Sequence, residues 1–187
     1  AGPPSPARLD KWAARQVLAL SPKFLRHFFR CAPPPQCSPL DELRRSHHGD
    51  PKGREVTVIA GDFNKTVTSV LSNCRAKDAT FCLLDQRTME CDWATVRLLA
   101  QHSWQGCKAE LFYFVPVSWL HRTLAALKHD REARIEKWWG NSDWNRLLSL
   151  AQEQITVQFV QRFKDEFGYV HVTPWPIFER ASGGRVM

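Results

Sequence analysis

Residues 55–74 read Glu-Val-Thr-Val-Ile-Ala-Gly-Asp-Phe-Asn-Lys-Thr-Val-Thr-Ser-Val-Leu-Ser-Asn-Cys, and three patterns succeed one another within them. Glu55 to Ala60 is rich in β-branched residues and continuous enough for a buried strand. Gly61 to Asn64 is a turn, with a glycine that allows a tight bend and a carboxylate suited to a helix start. Val67, Val70, Leu71 and Cys74 then repeat at helical spacing. Strand, turn and helix follow in that order, which is the opening of a βαβ unit.

The same alternation extends in both directions. Upstream, residues 9–20 carry Leu9, Trp12, Ala13, Val17 and Leu20 at helical spacing, and Lys23 to Phe29 is a short apolar strand. Cys31 to Cys37, with three successive prolines, forces a loop. Ser38 and Pro39 then open a helix to about Ser46 in the favoured cap and first-turn order, with Asp41 and Glu42 in its first turn. Downstream, Thr80 to Leu84 is a strand ending in Asp85, and a helix follows with Trp93, Val96, Leu99 and Ala100 on one face. Leu111 to Val115 is the next strand, residues 118–128 and 131–139 read as helices, and Ile155, Phe159, Val160, Phe163 and Phe167 mark the longest amphipathic helix. Tyr169 to Val172 reads as a final strand. Strands alternating with helices of this length predict an α/β chain: a Rossmann-like, doubly wound, mostly parallel sheet with helices on both faces. A length of 187 residues suits one such domain over 1–187.

Composition narrows the function classes. Hydrophobic residues make up 43% of the chain, with 8 Trp and 11 Phe, which excludes a disordered polypeptide. No stretch approaches the roughly 18 uncharged apolar residues of a membrane span. The net charge of +7 is concentrated towards the start, where the first fifty residues hold 8 basic and 4 acidic groups. It favours an anionic partner without requiring one, because no like-charge run exceeds the Arg44-Arg45 pair. The six cysteines form no Cys-x-x-Cys pair, and adjacent His47 and His48 do not match zinc-ligand spacing, so no metal is expected. With no leader-like start, reduced thiols in a cytoplasm are the expectation.

In doubly wound sheets ligands sit beyond the carboxyl ends of the strands, so the loops there are the candidate sites. Asp62 is either a helix cap or, with the Phe63 ring, a contact for a nucleoside, and the local sequence leaves both open. Asp85 closes an apolar strand and is either solvated in its loop or a polar contact in a cleft, with Arg87 nearby for an anion. Ser118 and His121 lie three apart on a helical stretch and assemble no nucleophilic triad. Trp138-Trp139-Gly140-Asn141-Ser142-Asp143-Trp144 is the densest aromatic segment, read as core packing with base stacking as the alternative.

Taken in order, these pieces resemble the three-Cys-motif partner protein family, whose members are similar to class I S-adenosylmethionine-dependent methyltransferases. Ala1-Gly2-Pro3 resembles the end of that family's first-strand turn. Gly61-Asp62-Phe63-Asn64 resembles its Gly-Asp-x-Asn turn, and Asp85 with Trp93-Ala94-Thr95-Val96 its strand-end loop and next helix. Arg122 and the Trp139-Gly140 and Trp144 element complete the series. The resemblance implies S-adenosylmethionine as cofactor. Gly2 would lie against its methionine part, Asp62 and Phe63 would hold its adenine, Asn64 would also belong to the cofactor site, and Asp85 would serve as the catalytic-cleft residue. It also implies a nucleic acid as methyl acceptor and a three-Cys-motif protein as partner. Gly2, Asp62 and Asp85 are expected to converge on one rim. Pro4, Arg30 or Cys31, and Gln86 depart from the family pattern, which leaves a second expectation: a non-catalytic partner protein with the fold but an altered pocket. The resemblance further implies a fragment lacking a central strand before Ala1 and the last strands after Met187, or else a sheet that closes differently.

Overall fold

The computed structural model describes residues 18, 26–31, 38–46, 48, 55–75, 78–86, 89–104, 106–115, 117, 120, 124 and 132–175. The chain is mixed α/β, and its contacts divide it into two compact units, Ala1–Val70 and Leu71–Met187.

In the first unit β1 (Arg26–Cys31) lies parallel to β2 (Glu55–Ala60), in register from Arg26 opposite Glu55 to Cys31 opposite Ala60. Parallel neighbours need a long crossover, and the connection here carries helix α1 (Ser38–Ser46). Alternation along the strands puts His27, Phe29, Val56 and Val58 on one face. Phe29, Val56 and Val58 pack with Leu40 and Leu43 of α1 and with Leu18. Asp41 and Arg44 of α1 are paired at 3.4 Å on the open side, where such a pair adds little. After β2 the chain turns at Gly61 and enters α2 (Phe63–Ser72), with Val67 buried.

In the second unit β3 (Phe81–Leu84) and β6 (Glu110–Tyr113) are again parallel, with Phe81 opposite Glu110 and Leu84 opposite Tyr113. The crossover is α3 (Trp93–Gln101), whose Trp93, Val96, Leu99 and Ala100 are all buried, as the helical spacing predicts. A two-residue hairpin, β4 (Ser103–Trp104) with β5 (Cys107–Lys108), stands between α3 and β6. It is too short to leave an alternating pattern. Then follow α4 (Glu132–Trp139), a 3-10 helix (Ser142–Ser149) and α5 (Gln152–Phe167). The core gathers Trp93, Ile135, Trp138, Trp139, Leu147, Ile155, Phe159 and Phe163.

Several expectations need correction or lie out of view. Tyr169 to Val172 is not a strand: the chain bends at Val170 and the segment joins no ladder among the described residues. Local β-preference does not make a strand without an edge to pair with. Val160 is half-buried beside the buried Phe159 and Phe163, so it flanks the apolar stripe of α5. The helix expected over 9–20 lies outside the described residues except for buried Leu18, and that over 118–128 except for buried Leu120 and Leu124. Gly2, Pro4, Arg87, Arg122, Ser118 and His121 also lie outside them. No described helix is long and apolar enough to cross a membrane.

Candidate functional site

The loops at the carboxyl ends of the parallel strands hold the predicted polar residues. In the first unit, β2 delivers the chain to Gly61, whose φ of +122° lies where side chains are rarely tolerated. Asp62 follows, and its backbone carbonyl accepts from Lys65 and Thr66 N–H, both at 3.1 Å. Its Oδ1 accepts the Asn64 N–H at 3.0 Å, satisfying one of the orphan donors of the first turn of α2. The capping role is therefore real. The carboxylate is exposed, however, and its Oδ2 takes no hydrogen bond among the described residues. Phe63 and Asn64 beside it are half-buried.

In the second unit β3 ends at Leu84, and Asp85 is exposed, with neither hydrogen bond nor ion pair among the described residues. Gln86, one residue on, is buried. Its Nε2 donates to the Phe114 carbonyl at 3.0 Å, and its Oε1 accepts the Cys91 N–H at 3.2 Å. One side chain thus joins the ends of β3 and β6 to the loop before α3. The Tyr113 hydroxyl is buried nearby, close to Gln86 and Trp138 but with no well-aligned hydrogen bond. Burial, with Cys91 close by, pushes its phenol well above the ordinary range.

The tryptophan segment belongs to the core. Gly140 has φ +95°, and a Cβ there would stand 2.5, 2.8 and 2.9 Å from Cδ1, Cγ and Cβ of Trp93. Trp139 donates its indole N–H to Asp143 Oδ1 at 2.6 Å. Sequence reading overlooked the group this segment surrounds. Arg162, buried on the apolar stripe of α5, has its guanidinium 4.1 Å from the ring centroids of both Trp93 and Trp139. Cations over indole faces in this geometry are attracted by the ring quadrupole, more so when desolvated. Arg162 also donates to the Trp139 carbonyl and pairs with Glu166, which accepts from the Trp93 indole N–H at 2.7 Å and from Arg97 at 3.3 Å. Burial opposes the charge on Glu166, but hydrogen bonds from Arg162 and Trp93, and the Arg162 and Arg97 charges, hold its carboxyl below the usual range. The signal was present in the sequence: an arginine one turn after Phe159 and beside Phe163 breaks an otherwise apolar face.

The thiols of Cys82 and Cys91 are not poised for nucleophilic chemistry. Burial, reinforced by Asp92, pushes Cys91 up to about 12, and burial with Cys74 nearby raises Cys82 to about 11. Among the described residues no group of three or more His, Cys, Asp or Glu is placed to hold a metal ion. What the described strand ends present is chemically simple: the exposed carboxylates of Asp62 and Asp85, able to accept hydrogen bonds from amines and hydroxyls. No family model, no curated protein and no solved structure matches this chain.

Proposed function

We propose that the chain is a Rossmann-like methyltransferase domain of the three-Cys-motif partner kind, with S-adenosylmethionine as methyl donor and a nucleic acid as acceptor. The observation that carries the proposal is the pairing of the strands. β1 with β2 and β3 with β6 are both parallel βαβ pairs, and each pair has an exposed aspartate just past a strand's carboxyl end, Asp62 after β2 and Asp85 after β3. A parallel βαβ pair is the repeating unit of a doubly wound sheet.

The residues present suit the cofactor at one of its ends. Asp62 keeps one carboxylate oxygen available while the other caps α2, so it would accept from the adenine amine, with Phe63 and Asn64 beside it. Gly2, expected at the methionine end, lies outside the described residues. S-adenosylmethionine supplies an activated methyl group when bound. The chain's own task is to bind, orient and exclude water, and Asp85 would accept a hydrogen bond from the acceptor and fix its approach. Transfer of labelled methyl from S-adenosylmethionine to RNA or DNA, lost in Asp85→Asn, is the expected result. No incorporation into any nucleic acid would refute the enzymatic reading.

A second reading is favoured by Gln86. At the position where the resemblance implies proline, this side chain is committed to joining β3, β6 and Cys91, so the loop serves the fold. A non-catalytic domain binding a three-Cys-motif protein would show stable association with that partner and no methyl transfer.

A further inference from the structure

A polar hydrogen buried without an acceptor costs more than an ordinary hydrogen bond returns, so such groups are rare in folded chains and each points to something that satisfies it. Two of them meet in the second unit. The indole N–H of Trp138, a fully buried residue of α4, and the buried hydroxyl of Tyr113, the last residue of β6, have no hydrogen-bond partner among the described residues. Both rings pack on one side chain of α5: the Phe159 ring centre lies 5.6 Å from that of Trp138 and 5.9 Å from that of Tyr113.

Gln86 stands beside them, close to the Tyr113 hydroxyl. Its amide is buried and only half used. One Nε2 hydrogen goes to the Phe114 carbonyl and one Oε1 lone pair takes the Cys91 N–H, so a second hydrogen and a second lone pair remain. The unused groups are therefore three donors, the indole N–H, the phenol O–H and an amide N–H, together with the lone pairs of the Tyr113 and Gln86 oxygens. A cation would face three donors. A carboxylate would accept from them but return no proton to the lone pairs, and would carry its charge out of solvent. A water molecule both accepts and donates, and it is the smallest group that does.

We propose that the second unit binds an internal water molecule at the carboxyl ends of β3 and β6, accepting from the Trp138 indole N–H and hydrogen-bonded to the Tyr113 hydroxyl and the Gln86 amide. A buried water typically makes about three hydrogen bonds, and this cluster offers three partners. The consequence is a polar junction through which α4 is tied to both strand ends, by way of the same Gln86 that directly follows exposed Asp85. The inference does not depend on the methyltransferase reading.

Water-selective NOESY and ROESY spectra of the isotope-labelled full chain test it. The chain has eight tryptophans, and Trp138→Phe assigns the Trp138 indole signal by removing it. In wild type that N–H should show a cross-peak at the water frequency, with the sign pattern of a bound water rather than of chemical exchange. The phenol hydroxyl also exchanges with solvent and could relay such a signal, so Tyr113→Phe is the control: it keeps the ring and two of the three partners, and the cross-peak should survive in it. A wild type without the cross-peak would overturn the proposal, and so would its loss in Tyr113→Phe while the indole signal keeps its place. A crystal structure gives an independent reading: a water within about 3 Å of Trp138 Nε1 is the expected result, and an indole N–H bonded directly to the Tyr113 oxygen would overturn it.

Discussion

Substituting alanine at Gly140 probes the packing around Trp93 directly. A Cβ there would sit 2.5 to 2.9 Å from three Trp93 atoms, on a backbone at φ +95°. Trp93 cannot easily yield, because its ring is fully buried, tilted against Phe167 at 4.8 Å centroid distance, covered by Arg162 on a face, and tied through its N–H to Glu166. The backbone conformation contributes about 1–3 kcal/mol and the overpacking about 1–3 kcal/mol more. The expected loss in urea unfolding is therefore about 2–6 kcal/mol, seen as a lower midpoint at unchanged slope. A double-mutant cycle with Trp93→Leu separates the two parts: the clash disappears when the indole is gone, so a coupling of about 1–3 kcal/mol should appear, while the backbone part persists. A Gly140→Ala variant within about 0.5 kcal/mol of wild type, or a cycle with no coupling, would refute this account of why tryptophan is followed by glycine.

Other perturbations follow from the same geometry. Arg162→Met should lower stability by about 3 kcal/mol in thermal or urea unfolding, since it strips the Trp139 carbonyl and Glu166 Oε1 of the Arg162 donor and leaves Glu166 only Trp93 and Arg97; a neutral result would mean the sandwich is ornamental. Glu166 has a carboxyl pKa held below its ordinary 4.5, so its contribution is present above that value and lost as pH falls through the lower folded value. Stability measured from pH 6 to pH 3 should decline over the acid end in wild type and decline less in Glu166→Gln. Gln86→Leu, which orphans the Cys91 N–H and the Phe114 carbonyl, should cost about 1–3 kcal/mol and accelerate hydrogen exchange at Cys91. With iodoacetamide near neutral pH, exposed Cys107 should label in the folded chain, and Cys91, raised to about 12, only on unfolding.

Much of the frame could be read from residue patterns because each element states its period locally. Glu55 to Ala60 and the Val67 stripe give strand and helix with Gly61 between them, and the structure puts the turn there. The stripe of Trp93, Val96, Leu99 and Ala100 is buried along its whole length. Tyr169 to Val172 misled because alternation reports preference, whereas a ladder needs a neighbour that local sequence does not specify. The role of Gln86 was hidden for a related reason: it spans 28 residues to Phe114, and nothing near position 86 announces that contact. Arg162 was legible in principle, as a charge on an apolar stripe, but its two tryptophan partners come from positions 93 and 139 and meet only in the folded unit. At Asp62 sequence left cap and ligand contact as alternatives, and the structure shows the cap using one oxygen only.

That spare oxygen offers the most direct test. Titrating S-adenosylmethionine into the wild-type chain and into Asp62→Asn in a calorimeter separates the two jobs, because asparagine keeps the capping oxygen and removes the charge. Saturable heat from wild type, with affinity at least about tenfold weaker in an Asp62→Asn variant of unchanged stability, corresponds to about 1.4 kcal/mol and is the predicted outcome. No heat from a folded wild type, or equal affinity in both proteins, would contradict the assignment of this βα turn to the cofactor.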